Sequence, residues 1–341
     1  MTAVSRLLAC GAVLLSAGTL PGSAQSYHVT HSYTLGGDGG WDYIALDTAG
    51  HRLFIARQDR IMVVNPETGA LLGEIPGLNR AHGVAFDYAH GRGFATSGAD
   101  SAVTMFDLRT LAVRGKVTAA VDDDAVLYDP VTKHVFTMNG DAGSSSVIDP
   151  VSGQRIGTID LGGKPEYGVS AGDGKLYVNL EDKSEVVEVD AGAMCVVRRW
   201  PLAPCESPTG LAIDVAHHRL FSGCRSGVMA VSDAQAGRLV TTLPIGRGVD
   251  ACRFDAGTAL ALASNGDGTL SVIHEDAPDK FTVVATVPTK PGARTMELDQ
   301  RTHRIYTVSA EFGPTPAPTP ERPRPRPPIL PNSFALLVLE P

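Results

Sequence analysis

The chain has 341 residues, 37 of them glycine and 23 proline, with 43% hydrophobic and 19% charged side chains. That composition excludes wholesale disorder and collagen and describes a globular protein punctuated by turns. A formal charge of −8 argues against nucleic acid or anionic lipid as a partner, because both require a basic face.

The first element in chain order is an export signal over residues 1–24. Arg6 precedes an apolar stretch from Leu7 to Leu20, and small residues flank a cleavage point after Ala24. The apolar run is about 14 residues where about 20 are needed to cross a bilayer, and no later segment is longer, so no transmembrane segment is expected. A periplasmic or secreted protein follows. Losing Arg6 takes the charge to about −9. Four cysteines remain, Cys195, Cys205, Cys224 and Cys252, in a compartment where disulfides persist. None forms a C-x-x-C pair, which excludes a thioredoxin-type motif and covalent c-type haem.

Residues 25–341 carry an internal repeat. Apolar runs ending in Asp read YIALD to Asp47, GVAFD to Asp87, AVLYD to Asp129, YGVSA near Ser170, GLAID to Asp214, ACRFD to Asp255 and TMELD to Asp299. The seven units are spaced by about 40 to 44 residues, the period of a four-stranded propeller blade. A second β-rich run follows each, such as RLFIA from Arg52 or KLYVN from Lys175, and then a third strand ending at an Asn or Asp turn, as in Asn65-Pro66-Glu67-Thr68-Gly69. First strands are apolar without alternation, which implies burial on both faces. No helical pattern separates the strands.

Unit seven runs out of chain after its third strand, Phe334 to Glu340. The segment Tyr27 to Leu35 is a spare strand that can complete it and close the ring. The predicted fold is therefore all-β: a single seven-bladed propeller of four-stranded antiparallel blades, acting as a monomer. It carries a Pro/Arg-rich insertion at 313–332, where nine prolines and Arg322, Arg324 and Arg326 interrupt unit seven. Proline cannot join a ladder, so the insertion reads as an unpacked arm, placed to act as a lid or docking arm at the channel mouth.

The seven units, the D-x-x-x-H-R-L-F type of link between strands one and two, and Tyr177-Val178-Asn179 in unit four resemble the YVTN-repeat propellers of the YncE-like family. That resemblance implies a secreted or periplasmic seven-bladed propeller, often of unknown ligand, with an enterobacterial relative that looks like a DNA binder.

In such a blade the four-to-one and two-to-three links emerge at one mouth of the channel and the other links at the far face. His51, His218 and His303 and the repeated aspartates fall at far-face turns and read as scaffold. The mouth instead gathers nonequivalent residues: Trp41, Asp42, Tyr43, His82, Asp124, Glu166, Tyr167, Asn179, Arg225, Asp250 and Arg294 are the candidate ligand-binding set, with Arg57 nearby. Asp124, Glu166, Asn179, Asp250 and Asp267 are candidate oxygen ligands for a divalent cation such as calcium. Cys205 and Cys224 bracket the first two strands of unit five at the same mouth and are the expected disulfide.

These residues allow three functions. One is a binding module for a small molecule or another exported protein. The second is a metal-dependent lactonase or related hydrolase, in which the cation polarises a carbonyl and activates water. The third is the DNA-binding propeller that the resemblance brings in, which the acidic charge opposes. No G-x-S-x-G elbow points to a serine hydrolase. Of the three, the sequence favours the binding module over catalysis.

Overall fold

The computed structural model of the protein describes residues 27–320, 322–323 and 325–341. The expected export segment at 1–24 lies outside them. Seven four-stranded antiparallel sheets follow one another around an axis, over residues 44–76, 81–118, 123–160, 165–201, 208–244 and 249–288 for blades one to six. Blade seven is composite: Met296–Asp299, Arg304–Ser309 and Ala335–Glu340 are followed outward by His28–Thr34 from the other end of the chain. This N-terminal strand pairs with the C-terminal one from His28↔Glu340 to Thr34↔Ala335, so the ring closes without leaving either edge open. There is no helix among the described residues, and so none long and apolar enough to cross a membrane.

The blades pack face to face because the second strand is apolar on both sides. Its third residue is aromatic in six blades (Phe54, Phe94, Phe136, Tyr177, Phe221 and Tyr306), and all six are buried. Phe54 meets Phe86 of blade two at 5.0 Å between ring centroids, and Phe221 stacks on Phe254 of blade six at 5.2 Å. Blades five and six approach so closely that a Cβ on Gly210 would lie 2.6 Å from the Cys252 nitrogen. Only glycine fits there.

The repeat also fixes the far-face turns. The fourth residue after the unit's Asp adopts positive φ at His51, Gly91, Lys133, His218, Ala259 and His303, between 51° and 63°, in a left-handed turn that the Asp side chain supports. Asp47 accepts from the Gly50 nitrogen and from Arg52, and Asp129 accepts from the nitrogen and hydroxyl of Thr132. These aspartates and histidines are scaffold.

Candidate functional site

The innermost strands of blades two to six share an irregularity near their start. Register slips between Ala81 and Val84, Asp123 and Val126, Pro165 and Gly168, Pro208 and Leu211, and Val249 and Ala251. A bulge re-aims a side chain. The residue at this point is His82, Asp124, Glu166, Thr209 or Asp250, and counting back from Asp47 and Asp299 by the same spacing gives Asp42 in blade one and Arg294 in blade seven. One residue per blade thus forms a ring at the channel mouth: four carboxylic acids, one histidine, one arginine and one threonine. Thr209 turns back into the wall, donating to the Val249 carbonyl.

The ring is wired by its cations. His82 Nδ1 contacts Asp42 and lies 3.1 Å from Asp124 Oδ1. Arg294 Nε donates to Asp250 Oδ2 at 2.6 Å. Arg225, just beyond the end of blade five's second strand, reaches Glu181 at 2.9 Å, Glu166 at 3.4 Å and Asp250 at 4.0 Å. No ring carboxylate exposes more than 18% of its side chain. Burial, reinforced by Asp124 and Asp250, pushes Glu166 up to about 9 despite Arg225. Asp124 is held well above the usual carboxylate range by burial and by Asp42, Asp250 and Asp122. Asp250 is raised by burial against the opposing pull of Arg294, and Asp123 is driven up to about 7 by burial. Asp123 is turned into the wall, accepting from the Ser97 nitrogen, whereas Asp124, Glu166 and Asp250 converge on one space where burial and their neighbours favour the protonated form.

Below the ring Tyr43 and Tyr167 pack against each other with centroids 5.1 Å apart and form a floor. Arg253 then donates to Tyr167 Oη at 3.1 Å and makes a two-pronged pair with Glu297 at 2.9 and 3.1 Å. On the far side of this floor is a separate cavity of about 500 Å³, lined by Tyr167, Arg253, Glu297, Cys252 and the links of blades three and four.

The structure therefore joins Asp42, His82, Asp124, Glu166, Asp250, Arg294 and Arg225 in one site and separates the other candidates from it. Trp41 is core, packed on Phe334 and Phe312 at 5.3 and 6.1 Å. Tyr43 and Tyr167 form the floor, with only their upper neighbours facing the mouth. Asn179 leaves the cation set because its amide is consumed between blades: Nδ2 donates to the carbonyls of Thr209 and Gly210, and Oδ1 accepts from Ser222. Asp267 leaves it too, since its carboxylate caps a surface turn through the Arg247 nitrogen and the Thr269 hydroxyl. Arg57 is fully buried, its guanidinium over the Phe334 ring at 3.7 Å and donating to the carbonyls of residues 36–40. It organises the glycine loop that delivers Asp42 to the ring.

Cys205 and Cys224 are disulfide-bonded with Cα atoms 5.7 Å apart, while Cys195 and Cys252 are free. The bridge ties the approach to blade five to the strand end that carries Arg225. The insertion of blade seven is pinched at its base by a Phe312↔Ile329 bridge, and Phe312 lies against Trp41, the neighbour of ring residue Asp42. Neither Arg322 nor Arg326 pairs with a ring carboxylate. Arg253 and Glu297 were missed from the sequence. Their signal was an opposite-charge pair at a strand position that is Ala, Leu or Val in the other five blades.

These features define a seven-bladed β-propeller with an acid-rich channel mouth. Its sequence is 28% identical over 148 residues to the uncharacterised protein YncE of Salmonella typhi, a match spanning 41% of this chain and 42% of that protein, and likewise to YncE of Salmonella typhimurium. It is 27% identical over 170 residues to the probable U3 small nucleolar RNA-associated protein 18 of Schizosaccharomyces pombe, covering 47% of this chain and 32% of that one. The matches span less than half the length of these curated relatives. No family model matches the chain. Among solved structures, Kuenenia stuttgartiensis hydrazine synthase superposes with a TM-score of 0.70 over 85% of this chain and 96% of the compared one, at 14% identity. That likeness shows the fold alone. The resemblance to YncE-like propellers stands on the sequence similarity and the seven blades together.

Proposed function

We propose that this propeller is an exported binding module that takes a small cationic ligand, a protonated amine or a divalent cation such as calcium, in the carboxylate ring at its channel mouth. The observation that carries this reading is the crowding of Asp42, Asp124, Glu166 and Asp250 into one largely buried ring, with Asp124 raised well above the usual carboxylate range and Glu166 pushed up to about 9. An entering cation replaces protons that are retained because burial, reinforced by neighbouring carboxylates, disfavours the charged form. Arg225 and Arg294 fix Glu166 and Asp250; Arg294 also comes within 3.8 Å of Asp42, but Asp42 and Asp124 keep the most exposed side chains of the ring carboxylates, 18% and 15%, and with His82 form the more open arc. The export segment at 1–24 supports a periplasmic or secreted setting.

A second reading is favoured by one observation: ligand atoms of Asp42, His82 and Asp124 lie within 4.8 Å of one another, so a cation gathered there can polarise a carbonyl and lower the pKa of a bound water, as a lactonase or related hydrolase requires. In both readings these three side chains hold the ligand, and the tyrosine floor limits its depth. Nucleic acid is not favoured, because the mouth presents acids.

A thermal-shift panel of divalent cations, small amines, lactones and sugars tests this, run on the wild-type chain and on Asp124→Asn. Binding predicts that cations or amines raise the wild-type Tm and leave Asp124→Asn unmoved. A rise only with sugars or neutral lactones, or an equal rise in both chains, contradicts it. Cation-dependent turnover of a lactone establishes the second reading.

A further inference from the structure

On the far face, away from the ring, one repeat position breaks its rule. The position is the residue following the one paired with the start of strand two, at the far-face end of strand three. It is Pro66, Leu108, Pro150, Ala191, Ala234 and Pro341 in six blades, and Glu275 in blade six. Position 275 is as buried as its apolar counterparts: the Glu275 side chain is 1% exposed. Among the described residues Oε2 has no hydrogen-bond partner, and Oε1 meets only the imidazole of His217, at 3.0 Å. That imidazole is shared with Asp214, and two buried carboxylates facing one imidazole are costly unless something more strongly cationic reaches them.

What faces it is the link of blade five. Asp214 is oriented by the nitrogens of Ala216 and His217, which donate to Oδ1 and Oδ2 at 2.9 and 3.2 Å. His217 Nδ1 stands 2.7 Å from Asp214 Oδ2 and 3.0 Å from Glu275 Oε1. The three ligand atoms lie within 4.8 Å of one another. The guanidinium crossing this same interface, Arg219, is committed to Asp279, Asp233 and the Pro278 carbonyl and supplies nothing to Glu275. Half of the His217 side chain is open to solvent, which provides an entry path.

We infer that Asp214, His217 and Glu275 form a divalent transition-metal site that staples blade five to blade six. Two carboxylates balance the charge of a 2+ ion. One imidazole nitrogen with two carboxylate oxygens suits Zn²⁺ or Mn²⁺ better than calcium, which prefers six to eight oxygens. Around a tetrahedral zinc the ligand atoms stand roughly 3.3 Å apart, so the present spacing opens by a few tenths of an ångström on binding. The fourth position faces the exposed side of His217 and takes a water. The Asp-x-x-His turn alone does not make the site. Blade two has it as Asp87 and His90, with a single carboxylate contact at 2.6 Å, and faces Pro150 of blade three where blade five faces Glu275.

The test uses the full chain, stripped with a chelator and titrated with Zn²⁺ by calorimetry and with Co²⁺ by visible absorption. Glu275→Ala installs the residue that blades four and five carry, and His217→Ala alters a half-exposed side chain, so both variants are expected to fold. Asp124→Asn separates any cation held at the channel mouth. The expected result is one zinc equivalent that Asp124→Asn retains and that weakens at least about tenfold in each of the other two variants. A cobalt band that disappears in His217→Ala is expected with it. Unchanged zinc stoichiometry and affinity in Glu275→Ala and His217→Ala overturns the site. So does a wild-type chain that binds no zinc while metal-free Glu275→Ala melts higher, because Asp214 and Glu275 then only share a proton.

Discussion

The channel mouth and the far-face turns are built on the same seven repeats, yet they treat charge in opposite ways. At the far face an Asp recurs in six blades, and where its contacts are clearest it is answered within its own turn, as by Gly50 and Arg52 for Asp47 or Thr132 for Asp129. At the mouth the equivalent position changes from blade to blade through Asp, His, Asp, Glu, Thr, Asp and Arg, and the charges are answered only across the ring. A repeated polar residue stabilises the unit that contains it. A residue that departs from the repeat has no such local partner, and it finds its function in what the blades enclose together.

The largest expected effect comes from breaking what both ends share. Deleting residues 27–34 removes the whole ladder against the C-terminal strand and exposes an apolar edge, so the truncated chain should be insoluble or lose cooperative unfolding. A soluble product with wild-type melting contradicts closure by this strand.

Next is Asn179→Ala, which separates scaffold from site on the mouth side. It strips the partner from Ser222 Oγ and from two carbonyls of blade five in a fully buried setting, and a loss of about 2 to 3 kcal/mol is expected in denaturant unfolding with ligand affinity unchanged. Lost affinity with unchanged stability returns Asn179 to the binding set.

Glu166→Gln sharpens the comparison through pH. The folded carboxyl holds its proton to about 9, whereas the unfolded one releases it near 4.5. The native state therefore binds more protons than the unfolded state between these values, and stability falls as pH rises through that window. Asp123 adds to the same slope between about 4 and about 7. Melting should therefore decline from pH 5 to pH 9 in the wild type and decline less in Glu166→Gln. Parallel profiles contradict the burial and carboxylate crowding assigned to Glu166.

The smallest effect belongs to the insertion. Replacing residues 314–327 by a short Gly/Ser link keeps the Phe312↔Ile329 base, so the Tm should stay within about 2 °C. A change in ligand affinity between low and physiological salt would assign the arm a role over the mouth, and none leaves it passive.

The blades were legible because strand order, turn chemistry and period all repeat, each unit confirming the others. Six of the seven ring residues were legible for the converse reason, that they vary at a position where the fold does not require variation. What escaped depended on rotation and neighbours. Asn179 and Arg57 end their strands at the mouth just as ligand residues do, but their side chains turn into the wall, where two carbonyls of blade five and five loop carbonyls wait for donors. Arg253 and Glu297 were hidden inside runs read as apolar strand, and Glu275 lies in a third strand, outside the alignment of first strands. Each of the last three is itself a departure from a buried apolar repeat position, visible once register is fixed.

The proposed work of the ring is to exchange protons for a cation. Calorimetric titration of Ca²⁺ and of a small diamine into the wild-type chain, in two buffers of different ionisation enthalpy at pH 6 and pH 8, measures both halves at once. The expected result is binding that releases protons, tightens from pH 6 to pH 8, survives Glu275→Ala and weakens at least about tenfold in Asp124→Asn. Binding without proton release that is equal in Asp124→Asn, or no binding of either cation, contradicts it.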